Sequence, residues 1–199
     1  MAIHILSQDL IFRQIFDVVE PLQPLEKQDL YVSLLSSIVS QQLSVKAAAT
    51  IWHRFLQIFP NKQPLPNLLL AKTTEELRAV GLSQQKTGYL KNIADYALAT
   101  SWKDENFHKL TDDEIIAELT TIKGVGRWTV EMLLIFAMNR QDVFSVGDLG
   151  IKQAVVKLYQ LDENAMTIKE LHHKMYEISA AWKPYRSDAC RYLWRWKDK

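Results

Sequence analysis

The chain has 199 residues, 48% hydrophobic and 24% charged, with a formal net charge of +1. This balance suits one compact unit or two small lobes with a real hydrophobic core, and it makes no global case for a polyanionic partner. The single cysteine, Cys190, excludes internal disulfides, a cysteine-ligated zinc site and a four-cysteine iron–sulfur cluster.

No apolar run reaches ~18 residues, which argues against a membrane-spanning helix. The opening stretch MAIHILSQDLIFRQIF has no basic n-region and no small-residue cleavage site, so the expected location is intracellular. Apolar residues recur at helical spacing almost throughout, strand alternation is absent, and the predicted class is all-α. Helices are predicted at roughly 8–19, 28–40, 44–58, 74–80, 84–98, 112–120, 126–138, 149–159, 168–180 and 186–196. Pro21, Pro24, Pro60, Pro64 and Pro66 mark breaks, and FPNKQPLPN is the most loop-like stretch. Thr73, Thr111 and Thr167 each stand three residues before a glutamate, the pattern of a capping box, and Ser83 can cap the helix that follows it. Gln41, Gln42 and Leu43 fall at the junction of the second and third predicted helices, where residue type alone fits a solvent-exposed turn.

Between the predicted helices ending near 120 and starting near 126 lies IKGVG. A turn this short needs positive φ, which glycine supplies without a Cβ clash. Bare backbone at Gly124 and Gly126 also allows close approach, and the free N–H groups of the next helix favour an anion. The same features fit a plain helix–helix connection. Further on, Asp148 stands directly before a predicted helix and is a natural N-cap. From Lys183 to Lys199 there are six Lys/Arg against Asp188 and Asp198, a local net of +4, interleaved with Tyr185, Tyr192, Trp194 and Trp196. This segment fits either the solvated face of an amphipathic helix or a phosphate-facing surface. His172 and His173 are adjacent, point to different sides of a helix and make a poor metal pair.

Five stretches in order carry a family resemblance: LLSSIVSQQLSVKAA, VGLSQQKTGYLKNIA, LTTIKGVGRWTVEMLLIF, DVFSVGDLGIKQ and WKPYRSDACRYLWRW. Together they resemble the helix–hairpin–helix DNA glycosylase superfamily, in its 3-methyladenine DNA glycosylase II branch, from about residue 30 onward. The resemblance implies a two-lobed all-α fold with the active site in the cleft between lobes. Residues 30–138 would form a six-helix barrel-like lobe containing the hairpin, and 1–29 plus 139–199 a second helical lobe. The extra N-terminal α/β domain of some relatives is not expected.

The resemblance assigns the catalytic role to Asp148 rather than to nearby Asp142. As the base departs, positive charge builds on the deoxyribose, and a fixed carboxylate stabilises it or directs a water. Ser145 departs from the proline of many relatives. At 128 the lyase branches carry a lysine that attacks the sugar through a Schiff base; here it is Trp128. The implied activity is therefore monofunctional hydrolysis of alkylated purines of the 3-methyladenine and 7-methylguanine type, within base excision repair. The missing cysteines agree, since many endonuclease-III-like members carry an iron–sulfur cluster.

Trp128 and Trp182 resemble the aromatic walls of the family's base pocket, suited to a cationic base. Met132 stands where some relatives have tyrosine, and Tyr31 and Tyr185 are weaker candidates. Base flipping needs a wedge, for which the resemblance points to Gln42, then Leu43, supported by Gln41. Gly124, Gly126, Thr129 and Lys152 are expected to contact DNA, whereas Lys86 and Arg127 fit either phosphate contact or ordinary surface charge. No cofactor is required; a structural Na+ or K+ is implied at the backbone carbonyls of Thr120, Ile122 and Val125. The expected partner is damaged double-stranded DNA, with no membrane, no protein partner and a monomeric state; in a bacterium the location would be cytoplasmic and nucleoid-associated. The competing readings are a same-fold glycosylase for deaminated or oxidised bases and a non-enzymatic DNA-binding module.

Overall fold

The computed structural model describes residues 1–197 and 199; Asp198 of the basic segment lies outside the described residues. Among these there is no strand, and no helix is long and apolar enough to cross a membrane. The chain forms two compact units, one built from Met1–Leu25 with Asn139–Lys199 and the other from Glu26–Met138.

The first unit begins with α1 (Ala2–Leu6) and a 3-10 turn at Phe12–Asp17. The continuous unit follows, with α2 (Leu30–Ser40), α3 (Val45–Gln57), α4 (Pro66–Ala71) and α5 (Thr74–Ala79). It continues with α6 (Gln84–Ala99), α7 (Asp104–His108), α8 (Asp112–Leu119) and α9 (Arg127–Met132), the last running on into a π-helical turn at Leu133–Ala137. The first unit then resumes with α10 (Leu149–Tyr159), α11 (Ile168–Ser179) and α12 (Arg186–Lys197).

The continuous unit is organised around α2, which buries Leu30, Tyr31, Leu34, Leu35, Ile38 and Val39. That i, i+4 pattern presents a wide apolar face, and α3, α6 and α9 pack against it. In the discontinuous unit the core is aromatic. Trp182 packs against Phe12 at 5.0 Å and Phe144 at 5.7 Å, and Phe16 meets Tyr192 edge-on at 4.9 Å.

The three capping boxes form, at Thr73 with Glu76, Thr111 with Glu114 and Thr167 with Glu170. The threonine backbone N–H groups bond to the glutamates and hold those carboxyls below the ordinary carboxylate value. A lowered folded-state pKa gives stability that is present above the unfolded value and is lost as pH falls through the folded value. Glu114→Gln keeps the cap geometry without the titration. Acid unfolding followed by circular dichroism is expected to be less pH-dependent in that variant.

Three elements differ from the sequence expectation. The stretch 8–19, predicted as a helix, is instead a turn followed by a 3-10 segment at Phe12–Asp17, and the unpredicted α1 precedes it. Asp9 Oδ1 accepts from the backbone N–H of Ile11 and Phe12, both at 3.0 Å, so the side chain competes with regular helix bonds. Phe12 and Phe16 are then drawn to their aromatic partners. Pro66, expected to be a break, is the first residue of α4; proline suits that position because its missing N–H has no helical partner there. The short α7 was not predicted at all, and its one core anchor is Phe107.

Candidate active site

The hairpin lies within the continuous unit, between α8 and α9. Gly124 takes φ +105°, and a Cβ there would stand 2.1 Å from the Tyr89 ring. Glycine is needed twice over, for backbone conformation and for the aromatic ring laid against it. Gly126 differs: its φ is −95°, and a Cβ would meet nothing within 4 Å. Its open side leaves the backbone at the start of α9 accessible. Ile122 and Val125 anchor the turn in the core, while Asn92 Nδ2 donates to the Lys123 carbonyl at 2.9 Å. The parts that sequence reading missed are Tyr89 and Asn92, both supplied by α6 across a gap in sequence.

On α9, Trp128 is 40% exposed, a large aromatic presented to solvent, with Met132 one turn beyond it and half-buried. Thr129 points inward at 2% exposure, and its hydroxyl accepts from Gln41 Nε2 at 3.2 Å. The Thr129 side chain ties the α2–α3 junction to the hairpin helix. Arg127 pairs with the buried Glu131 at 2.9 Å.

At that junction Gln42 adopts φ +57°, the left-handed region that a non-glycine side chain seldom takes, and Leu43 is exposed. Lys86 braces the junction: its Nζ donates to the carbonyls of Val39 at 2.8 Å and Gln41 at 2.7 Å. Partial burial pushes its ammonium below the usual lysine value. Lys86 thus satisfies carbonyls at the end of α2. Lys86→Met is expected to lower stability by about 1–2 kcal/mol in a urea melt, because the bonds are charge-assisted but partly solvated.

Tyr31 does not join these residues. It lies in the first turn of α2, edge-on to Trp102 at 6.1 Å. Helical rise places it about 15 Å along α2 from Gln41. Burial raises its phenol far above the ordinary tyrosine value, with nearby Asp29 adding to the shift. Tyr31 is buried in the continuous unit at 7% exposure.

The carbonyls of Thr120, Ile122 and Val125 are hard oxygen donors, as a monovalent cation requires. Ile122 O already accepts from Val125 N–H at 2.9 Å, and a carbonyl keeps a second lone pair for a cation. Among the described residues no group of three or more His, Cys, Asp or Glu side chains is placed to hold a metal ion.

In the discontinuous unit, Asp148 is 9% exposed and caps α10. Its Oδ1 accepts from Ile151 N–H at 2.8 Å and from Trp194 Nε1–H at 2.8 Å. Both donors are aimed at one oxygen of a nearly buried carboxylate. Asp142 has a different fate: Arg186 holds it through two bonds, at 2.6 and 2.9 Å, so that carboxylate is a structural clamp. Trp194 is the main site residue that sequence reading missed as such, since its partner lies on another helix.

Trp182, expected in a base pocket, is fully buried, and its Nε1–H donates to Asp9 Oδ2 at 3.1 Å. Its ring packs among Phe12, Phe144 and Tyr159 of the unit's own aromatic core. Lys152 forms an ion pair with Glu163 at 2.8 Å, which a phosphate would have to displace. Two cations of the C-terminal segment and one of α10 are likewise engaged. Arg186 grips Asp142, Arg191 bonds Asp188 and the Gln23 carbonyl, and Lys157 sits 4.8 Å over the Trp196 ring.

Residues 35–180 match the family described as HhH-GPD superfamily base excision DNA repair protein. DNA-3-methyladenine glycosylase 1 of Schizosaccharomyces pombe is 37% identical, over 97% of this chain and 85% of its own length. The DNA-3-methyladenine glycosylase of Saccharomyces cerevisiae is 31% identical over 84% of this chain and 67% of its own. Among solved structures, the S. pombe 3-methyladenine DNA glycosylase in complex with abasic DNA superposes with a TM-score of 0.86 at 35% identity, covering 98% of this chain and 94% of that one. A DNA-3-methyladenine glycosidase from Bacillus halodurans gives a TM-score of 0.79 at 34% identity, over 97% and 87% of the two chains. The glycine hairpin, the helix-capping aspartate and a match that spans most of the sequence lead to one assignment: this chain belongs to the HhH-GPD superfamily of base excision DNA repair proteins.

Proposed function

We propose that the chain is a monofunctional DNA glycosylase that releases alkylated purines, of the 3-methyladenine and 7-methylguanine type, from double-stranded DNA. The observation that carries this reading is Asp148, a nearly buried carboxylate held by two N–H donors at a helix N-terminus. In the reaction the C1′–N bond breaks and its electrons leave with the purine, discharging the cation that alkylation had created. Positive charge passes to the sugar, where the carboxylate stabilises it. Water adds at C1′ and gives up a proton to the carboxylate or to solvent, leaving an abasic site.

Trp128, where a lyase would need lysine, offers a solvent-facing ring to a cationic base and no amine for a Schiff base. Gln42 and Leu43 are the wedge in this reading, Gly124 and Gly126 give the backbone that meets the phosphates, and Na+ or K+ at the Thr120, Ile122 and Val125 carbonyls would shape that turn. The test is chromatography of bases released from methylated duplex DNA. Free methylated purines with no strand nicking before alkali support the proposal. Release confined to neutral lesions such as hypoxanthine or oxidised guanine would replace the substrate class. Binding without release of any lesion would reduce the protein to a DNA-binding module.

A further inference from the structure

We propose that Gly150 and Trp194 are positioning residues for Asp148, the absent side chain at 150 being what lets the indole N–H reach the carboxylate. The inference deepens the reading of Asp148 as the reacting carboxylate and rests on it.

An N-cap bond by itself leaves an aspartate considerable freedom, because its terminal torsion is broad. Here Ile151 N–H, on the same helix, is joined on Oδ1 by Trp194 Nε1–H, each at 2.8 Å. The second donor comes from α12, which packs along α10. Two donors from two helices set the plane of the carboxylate and hence the placement of Oδ2.

Gly150 explains how the indole gets there. It lies inside the first turn of α10, where the backbone is helical and no positive φ calls for glycine. Glycine is a poor residue inside a helix, so its presence needs a local reason. A Cβ at 150 would stand 3.0 Å from Trp194 Cδ1, 3.2 Å from Trp194 Nε1 and 3.1 Å from Asp148 Oδ1. These contacts are tighter than side chains normally make, and both partners of the hydrogen bond are among them. An alanine would therefore push the indole and the carboxylate off their shared geometry while improving the helix itself.

That opposition of signs provides the test. Wild type, Gly150→Ala, Trp194→Phe, the double variant and Asp148→Asn are compared for thermal stability, affinity for abasic duplex DNA and single-turnover release of methylated purines. Gly150→Ala is expected to melt at the same temperature as wild type or higher, to bind DNA equally well, and to release base about tenfold more slowly. Trp194→Phe keeps the ring, loses the N–H, and is expected to slow release by a similar factor. The double variant is expected to be little slower than either single one, since both changes remove the same bond. A role in folding alone would move stability and rate together. Wild-type release rates in Gly150→Ala and Trp194→Phe, beside an inactive Asp148→Asn, would overturn the positioning role and leave the reading of Asp148 standing. An active Asp148→Asn would overturn that reading itself.

Discussion

Asp148→Asn is expected to lower the rate of methylpurine release by about two to three orders of magnitude while DNA affinity stays within about threefold of wild type. The substitution nearly preserves shape. An amide oxygen can still accept from Ile151 N–H and Trp194 Nε1–H, so α10 keeps its cap and α12 its contact. What is lost is the negative charge opposite a sugar that becomes cationic. Single-turnover release, together with a binding titration on abasic duplex, separates the two effects. Comparable loss of binding and rate would mean that residue 148 serves the fold rather than the chemistry.

The largest effect on stability is expected at Gly124. Gly124→Ala must place a Cβ 2.1 Å from the Tyr89 ring at a φ of +105°. Backbone strain and overpacking together are expected to cost about 4 kcal/mol, a large fraction of the stability of an ordinary domain. Urea denaturation measures it. Replacing Tyr89 by Ala in the same chain removes the ring but leaves its Cβ at 2.7 Å and the strained φ, so Gly124→Ala in that background should cost less than in wild type without becoming neutral. Gly126→Ala is the contrast. Nothing stands near its Cβ, and its effect should be confined to the reach of DNA toward the backbone.

Much of this architecture is legible in the sequence, for identifiable reasons. Local rules are written locally. The three Thr-x-x-Glu capping boxes and the Ser83 cap occur where the spacing puts them. The glycine demanded by the hairpin turn is Gly124, and Asp148 is the N-cap of α10 that its place in the sequence suggests. What escaped depends on partners far away in the chain. Trp182 and Trp194 look equally eligible as residue types, but one is buried beside Asp9 and the other reaches Asp148, contacts spanning 173 and 46 residues. Lys86 and Thr129 look like surface groups until the end of α2 folds against them. Pro66 looks like a break in the sequence because proline both stops helices and starts them, and only the following turn distinguishes the two. The segment near 8–19 has helical periodicity, yet its aromatic residues are drawn into the core of a unit whose other half is encoded much later.

That divided unit sets an order of assembly. The stretch from Glu26 to Met138 is contiguous and can collapse as soon as it has left the ribosome. The first 25 residues cannot do the same, because Asp9 must find Tyr159 and Trp182, 150 and 173 residues further on. Until then Phe12 and Ile15, fully buried in the finished fold, are carried as exposed apolar groups. Closing so long a loop is slow compared with forming local helices. The carboxylate of Asp148 therefore receives its second donor only after α12 has been synthesised and has docked. During synthesis, the hairpin is complete well before the chemistry that depends on it.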